Sequence, residues 1–71
     1  MIKFSQRLQE LRLSKNLTRK QLADVIGVTE ATMRKWETRP QAVRSRTLIK
    51  LAVFFDVSID YLVGRKPKKN G

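Results

Sequence analysis

Residues 18–37 read TRKQLADVIGVTEATMRKWE, and this stretch decides the fold. Thr18 is followed three residues later by Gln21, the spacing at which an N-cap hydroxyl and a glutamine side chain satisfy each other's backbone N–H groups. A helix over about 19–26 follows, with Leu22, Ala23, Val25 and Ile26 as its apolar face. Gly27 sits where that helix must end in a left-handed residue, a conformation glycine reaches without a Cβ clash. Val28 is expected to plug the turn into a core. Thr29 caps a second helix over about 30–37, with Met33 and Trp36 inward and Glu30, Arg34 and Lys35 outward. Two short helices joined by a tight turn, the first bracing the second, form the layout of a helix-turn-helix.

Outward from this pair the periods are helical throughout. Phe4, Leu8 and Leu11 recur at i, i+4, i+7, which predicts a helix from Lys3 to Ser14. Lys15–Asn16 makes a short turn, and Leu17 packs as a staple before the Thr18 cap. Thr38–Val43, containing Pro40, reads as a loop. A fourth helix is expected from Ser45 to Phe55, with Leu48, Leu51, Ala52 and Phe55 on one face. Asp56 ends it in a left-handed conformation. Ser58 caps a last short helix, Ile59–Val63, which Gly64 stops. Residues 1–64 form the domain and 65–71, RKPKKNG, a basic tail.

The chain has 71 residues, enough for one all-α domain, with 16 Lys+Arg against 6 Asp+Glu and a net charge of +10. Such a balance is the electrostatic footprint of a polyanion binder. The plainer alternative, solubility, needs a net charge of only about 2–8 in magnitude. Binding to a membrane surface requires a basic helix whose other face is free for lipid, and here a core claims the apolar faces. Cysteine and histidine are both absent, so no thiolate or imidazole is available for a metal, a nucleophile or a general base. No metal, no cofactor and no enzymatic activity are expected. The longest apolar run is Leu51–Phe55, far short of a membrane span. MIKFSQRLQE lacks the apolar segment of a signal peptide, so a cytoplasmic protein is expected.

The segments FSQRLQELR, LTRKQLADVIGVTEATMRKWE and LIKLAVFFDVSIDYLVG, in this order and spacing from Phe4 to Gly64, resemble the lambda-repressor-like domains of phage repressor/Cro (XRE-type) helix-turn-helix proteins. The resemblance implies a compact five-helix fold, a homodimer and a pseudo-palindromic double-stranded DNA operator. It implies a link between Arg12 on the first helix and Glu37 at the end of the third; the alternative is two separately solvated charges. The positions that read bases in the family fall on Glu30, Ala31, Arg34 and Lys35. Arg34 and Lys35 can donate to guanine, Ala31 can meet a thymine methyl, and Glu30 can accept from cytosine. Positions that anchor the phosphate backbone fall on Thr18, Arg19, Thr29 and Thr32, continued by Thr38, Arg39 and Arg44. Where the family usually carries a glycine after the Trp-Glu pair, this chain has Thr38-Arg39-Pro40.

The chain resembles the small Cro-like or modulator-type members, which dimerise through this same domain or pair with another protein. Ile49, Val53 and Phe54, beside the core face of the fourth helix, with Tyr61 nearby, make a candidate subunit or partner surface. The same side chains read equally as a broadened core. Two functions are expected on this basis. One is a sequence-specific DNA-binding regulator, a phage or mobile-element repressor of the Cro kind. The other is a phage-switch modulator that captures a partner repressor protein through the exposed helix-turn-helix face, Glu30 included.

Overall fold

The computed structural model describes residues 2–39 and 43–65 of the chain. Part of the loop expected over Thr38–Val43, and all of the basic tail beyond Arg65, lie outside the described residues. Within them the chain forms α1 (Ile2–Ser14), α2 (Arg19–Ile26), α3 (Glu30–Thr38), α4 (Ser45–Phe55) and α5 (Ile59–Leu62). The fold class is all-α, as the helical periods require.

The local signals act where the sequence puts them. Gln21 N–H donates to Thr18 Oγ1 at 3.0 Å and Thr18 N–H donates to Gln21 Oε1 at 2.9 Å, which closes the capping box. Gly27 ends α2 at φ 92°, with its N–H on the Ala23 carbonyl. Thr29 Oγ1 accepts from Thr32 N–H at 3.1 Å and starts α3. Asp56 terminates α4 at φ 56°. Ser58 Oγ accepts from Tyr61 N–H at 2.9 Å and starts α5. Asn16 also takes a left-handed conformation, φ 57°, which turns the chain from α1 into α2.

The core is drawn from every helix. Phe4, Leu8 and Leu11 of α1 meet Leu22, Ala23 and Ile26 of α2, Met33 and Trp36 of α3, Leu51 and Phe55 of α4, and Leu62 of α5. Phe4, Leu8, Leu22, Met33, Leu51 and Leu62 are sealed from solvent, each worth about 1.5–3 kcal/mol of burial. Leu17, Val28, Val43 and Leu48 pack partly buried around this centre. At the far end, Gly64 lies against α1 so closely that a Cβ there would sit 2.5 Å from Lys3 Cβ.

Two expectations need correction. Val25 does not join the apolar face of α2; it is 55% exposed. The buried stripe of this short helix runs through Leu22, Ala23 and Ile26, and Val25 lies about 100° round from Ile26. Tyr61 is not a surface residue. It is buried in the core, with the Arg7 guanidinium 4.2 Å above its ring. Because α5 is a single turn pressed on α1, its tyrosine is enclosed and Ile59 takes the outer side. At the boundaries, α3 runs one residue further than expected, to Thr38, and α5 stops at Leu62 with Val63 as its cap.

Candidate nucleic-acid interface

The site is built on α3, and its orientation is fixed from inside. Met33, Trp36 and Glu37 are the buried residues of this helix. That leaves Glu30, Ala31, Arg34 and Lys35, at i, i+1, i+4 and i+5, exposed along the opposite face. Among the described residues no hydrogen bond or ion pair holds the side chains of Glu30, Arg34 or Lys35, so these groups meet only solvent and whatever docks there. The arrangement offers two exposed cations, one carboxylate and a methyl group along one helical ridge.

The residues expected to face phosphates fall at the starts of α2 and α3, at the end of α3 and before α4. Thr18 and Arg19 open α2; Thr29 and Thr32 open α3. The Thr29 hydroxyl donates to Thr32 Oγ1 at 3.0 Å, which leaves the Thr32 hydroxyl proton for another acceptor. The Thr38 hydroxyl is turned back onto its own helix, donating to the Arg34 carbonyl at 2.8 Å. Arg39 and Arg44 are exposed on either side of residues 40–42.

Behind α3 sits a buried cluster of charged side chains. Arg12 Nε donates to Glu37 Oε2 at 2.7 Å and Arg12 Nη2 to Glu37 Oε1 at 3.1 Å. Arg12 Nη1 donates to the Leu17 carbonyl at 2.7 Å. A third helix joins through Arg19, whose Nε donates to Glu37 Oε1 at 3.0 Å. One carboxylate therefore ties the end of α1, the start of α2 and the end of α3. This fixes the angle at which α3 is presented.

Arg19 as a partner of Glu37 was not foreseen from sequence. The available signal was Glu37 itself, an acid one position after Trp36 and four after Met33 in a strongly basic chain. Nothing in spacing alone adds Arg19 to Arg12. Lys50, on α4, was also missed: its amine reaches the Ile26 carbonyl at 3.4 Å, a cation at the C-terminal end of α2.

The candidate subunit surface is split by the fold. Ile49 and Val53 are 51% and 75% exposed. Phe54 is half-buried, edge-on to Phe55 at 5.0 Å, with the Lys15 amine 5.4 Å above its ring. Tyr61 is enclosed, as described above.

Residues 8–62 match the helix-turn-helix family. The chain belongs to this family. Among solved structures it is similar to the restriction-modification controller protein C.AhdI from Aeromonas hydrophila, at 33% identity and a TM-score of 0.74, covering 86% of this chain and 88% of that one. Among curated proteins it is 37% identical over 62 residues to the HTH-type transcriptional activator BcrR of Enterococcus faecalis, covering 87% of this chain and 30% of that protein. It is 34% identical over 64 residues to the cryptic phage CTXphi transcriptional repressor RstR of Vibrio cholerae, covering 90% of this chain and 57% of that protein. The chain thus spans about a third to just over half of the length of these two curated relatives. No helix among the described residues is long and apolar enough to cross a membrane.

Proposed function

We propose that this chain is a sequence-specific DNA-binding transcriptional regulator of the cytoplasm, a Cro-like repressor of phage or mobile-element type, that lays α3 in the major groove of its operator. The observation that carries the reading is the division of α3. Its inner face is locked by Met33, Trp36 and the buried Glu37, and its outer face presents Arg34 and Lys35 unpaired beside Glu30 and Ala31. A fixed helix with free donors is what base readout needs, because a bidentate contact is worth about 1–3 kcal/mol only when it is held in register. The net charge of +10 supplies the sequence-independent attraction to phosphates. The names of the similar proteins, an activator, a phage repressor and a controller protein, support regulation in general and RstR supports the phage reading. The proposed activity is binding, with no catalytic step.

In this reading Arg34 and Lys35 donate to guanine, Ala31 meets a thymine methyl, and Thr18, Arg19, Thr29, Thr32, Arg39 and Arg44 hold the backbone. The chain acts as a homodimer through the exposed Ile49 and Val53, since two half-sites give affinity that one does not. Glu30, a carboxylate at the leading end of a DNA-facing helix, favours a second reading: capture of a basic surface on a partner repressor protein.

Band shifts on the DNA flanking the protein's own gene, with and without the product of the neighbouring regulatory gene, separate the two. The DNA reading expects log K to fall with log salt by about 0.9 per phosphate contact. A flat salt dependence rules those contacts out. Glu30→Ala is expected to tighten binding to operator and scrambled DNA alike, by removing repulsion. Loss of preference at one base pair would assign Glu30 to cytosine instead. Unchanged DNA binding with weakened partner binding would establish the second reading.

A further inference from the structure

We infer that Glu37 is a positioning residue for DNA: it holds one edge of Arg19 so that the rest of that guanidinium meets a backbone phosphate. The inference rests on the DNA-binding reading above and deepens it. It starts from the different ways two arginines use one carboxylate. The Glu37 side chain is wholly buried. Arg12 spends Nε and Nη2 on it and Nη1 on the Leu17 carbonyl, so each of its nitrogens is engaged. Arg19 spends only Nε. Its side chain is 33% exposed against 9% for Arg12. Among the described residues its two terminal nitrogens have no partner.

The charge count points the same way. Two guanidiniums share one carboxylate, which leaves one positive charge without a counterion, and that charge is on the arginine reaching solvent. A guanidinium is planar, and its donors point along fixed directions. Pinning Nε to a buried oxygen therefore fixes where the remaining N–H groups point. A phosphate, like a carboxylate, takes paired N–H groups in parallel, and phosphate is the anion that a DNA backbone presents. The ordering entropy of a long side chain has then been spent in the folded protein rather than on binding. A lysine at this position has its three donors on one nitrogen, so it can serve Glu37 and a phosphate together only where both lie within reach of that single atom, and it lacks the rigid fork that aims the free donors. The same carboxylate thus sets the angle of α3 through Arg12 and the reach of Arg19 toward the backbone.

The test is fluorescence anisotropy across a range of salt, with a short duplex from upstream of the protein's own coding sequence and a scrambled duplex of equal length. Arg19→Ala is expected to weaken both by about tenfold, the size of a charge-assisted contact, and to reduce the salt slope by about 0.9 per subunit. Arg19→Lys keeps the charge and leaves the Arg12–Glu37 pair intact, yet is expected to lose most of what Arg19→Ala loses. If Arg19→Lys binds like the parent, Arg19 is an ordinary surface cation and the positioning role is overturned. Glu37→Gln, assayed where circular dichroism shows it folded, should lose affinity on both duplexes, and its loss should be smaller in the Arg19→Ala background than in the parent, the remainder being what Glu37 exerts through Arg12. Additive losses overturn the coupling. If Glu37→Gln does not fold, the Arg19→Lys comparison decides alone. A parent that binds neither duplex overturns the DNA reading and this inference together.

Discussion

The α1–α2–α3 side of the molecule buries an ion triad, and its α4–α5 end does not. On the first side a carboxylate and two guanidiniums are taken inside, and the outer face of α3 is left polar. At the other end the ion pair Arg65–Asp60 stays in water, at 3.6 Å with side chains 77% and 44% exposed, while Ile49 and Val53 are left uncovered. The contrast separates rigidity from surface. Burying an ion triad is a costly way to gain stability, because desolvation offsets much of the Coulomb gain. It does fix three helices at one angle. Leaving Ile49 and Val53 in water adds no burial to the monomer, and the homodimer proposed above would cover them.

The largest expected effect breaks the first side. Glu37→Ala strands Arg12, whose side chain is 9% exposed, without its counterion, at a cost of about 3–5 kcal/mol. That is a large fraction of the roughly 5–15 kcal/mol that holds a small domain together. Arg12→Ala should cost less, since Arg19 still donates to Glu37. Urea melts of both variants and of the double variant check the order. Additive losses across the cycle would show that the residues are not coupled.

The next effect concerns the other end. Val53→Lys puts a charge on a side chain that is 75% exposed, so the monomer should fold with a change within about 0.5 kcal/mol. Any apolar contact between two copies at this position should weaken at least tenfold. Sedimentation of parent and variant over a range of concentration reads this directly. A parent that is monomeric at every concentration removes the homodimer from the proposal, and the exposed margin of α4 is then left to a different molecule.

How much of this was legible in the sequence follows from the range of each interaction. Thr18 with Gln21, Gly27, Thr29, Asp56 and Ser58 act within a few residues of themselves, so the helix starts and stops could be read from spacing. The fold class followed from these and from the periods of Phe4, Leu8 and Leu11. Val25 and Tyr61 were misread because both depend on which flank of a short helix meets the rest of the chain. A helix of two turns or one leaves more than one side chain eligible for the inner position. The place of Arg19 beside Glu37 spans a separation of 18 positions along the chain and depends on the packing of α2 against α3. No local pattern encodes it. The outward face of α3 was legible for the opposite reason: once Met33 and Trp36 point inward, the period of the helix places Glu30, Ala31, Arg34 and Lys35 outside.

A smaller effect isolates the backbone from both regions. Gly27 sits at φ 92°, and a Cβ built there would have nothing within 4 Å. Gly27→Ala therefore introduces no clash with another residue, and its cost is the left-handed conformation alone, about 1–2 kcal/mol. Thermal melts should show that loss. The capping box at Thr18, at the far end of α2, should be untouched, and slow amide exchange at Gln21 is its signature. A neutral Gly27→Ala would mean that the turn relaxes to another conformation, and the angle between α2 and α3 would then owe more to Glu37 than to the turn.

The smallest effect sharpens the comparison by removing burial from it. Lys20 and Asp24 pair at 3.6 Å one turn apart on α2, with side chains 70% and 67% exposed. The groups are the same kinds of cation and carboxylate as in the Glu37 triad, and they belong to the same helix as Arg19. In water the attraction is screened, and two long side chains lose freedom to hold it, so a pair at this spacing contributes about 0.3–0.5 kcal/mol. Asp24→Ala should accordingly lower stability by no more than that, and the loss should vanish in high salt. Arg12→Ala, by contrast, should keep most of its cost as salt rises, because a buried pair is screened far less. Urea melts of the two variants at low and high salt put the comparison on one scale. If Asp24→Ala proved as costly as Arg12→Ala, burial would not be what separates the Glu37 triad from a surface pair, and the rigidity assigned to the Glu37 link would have to come from the apolar core around Leu22 and Met33.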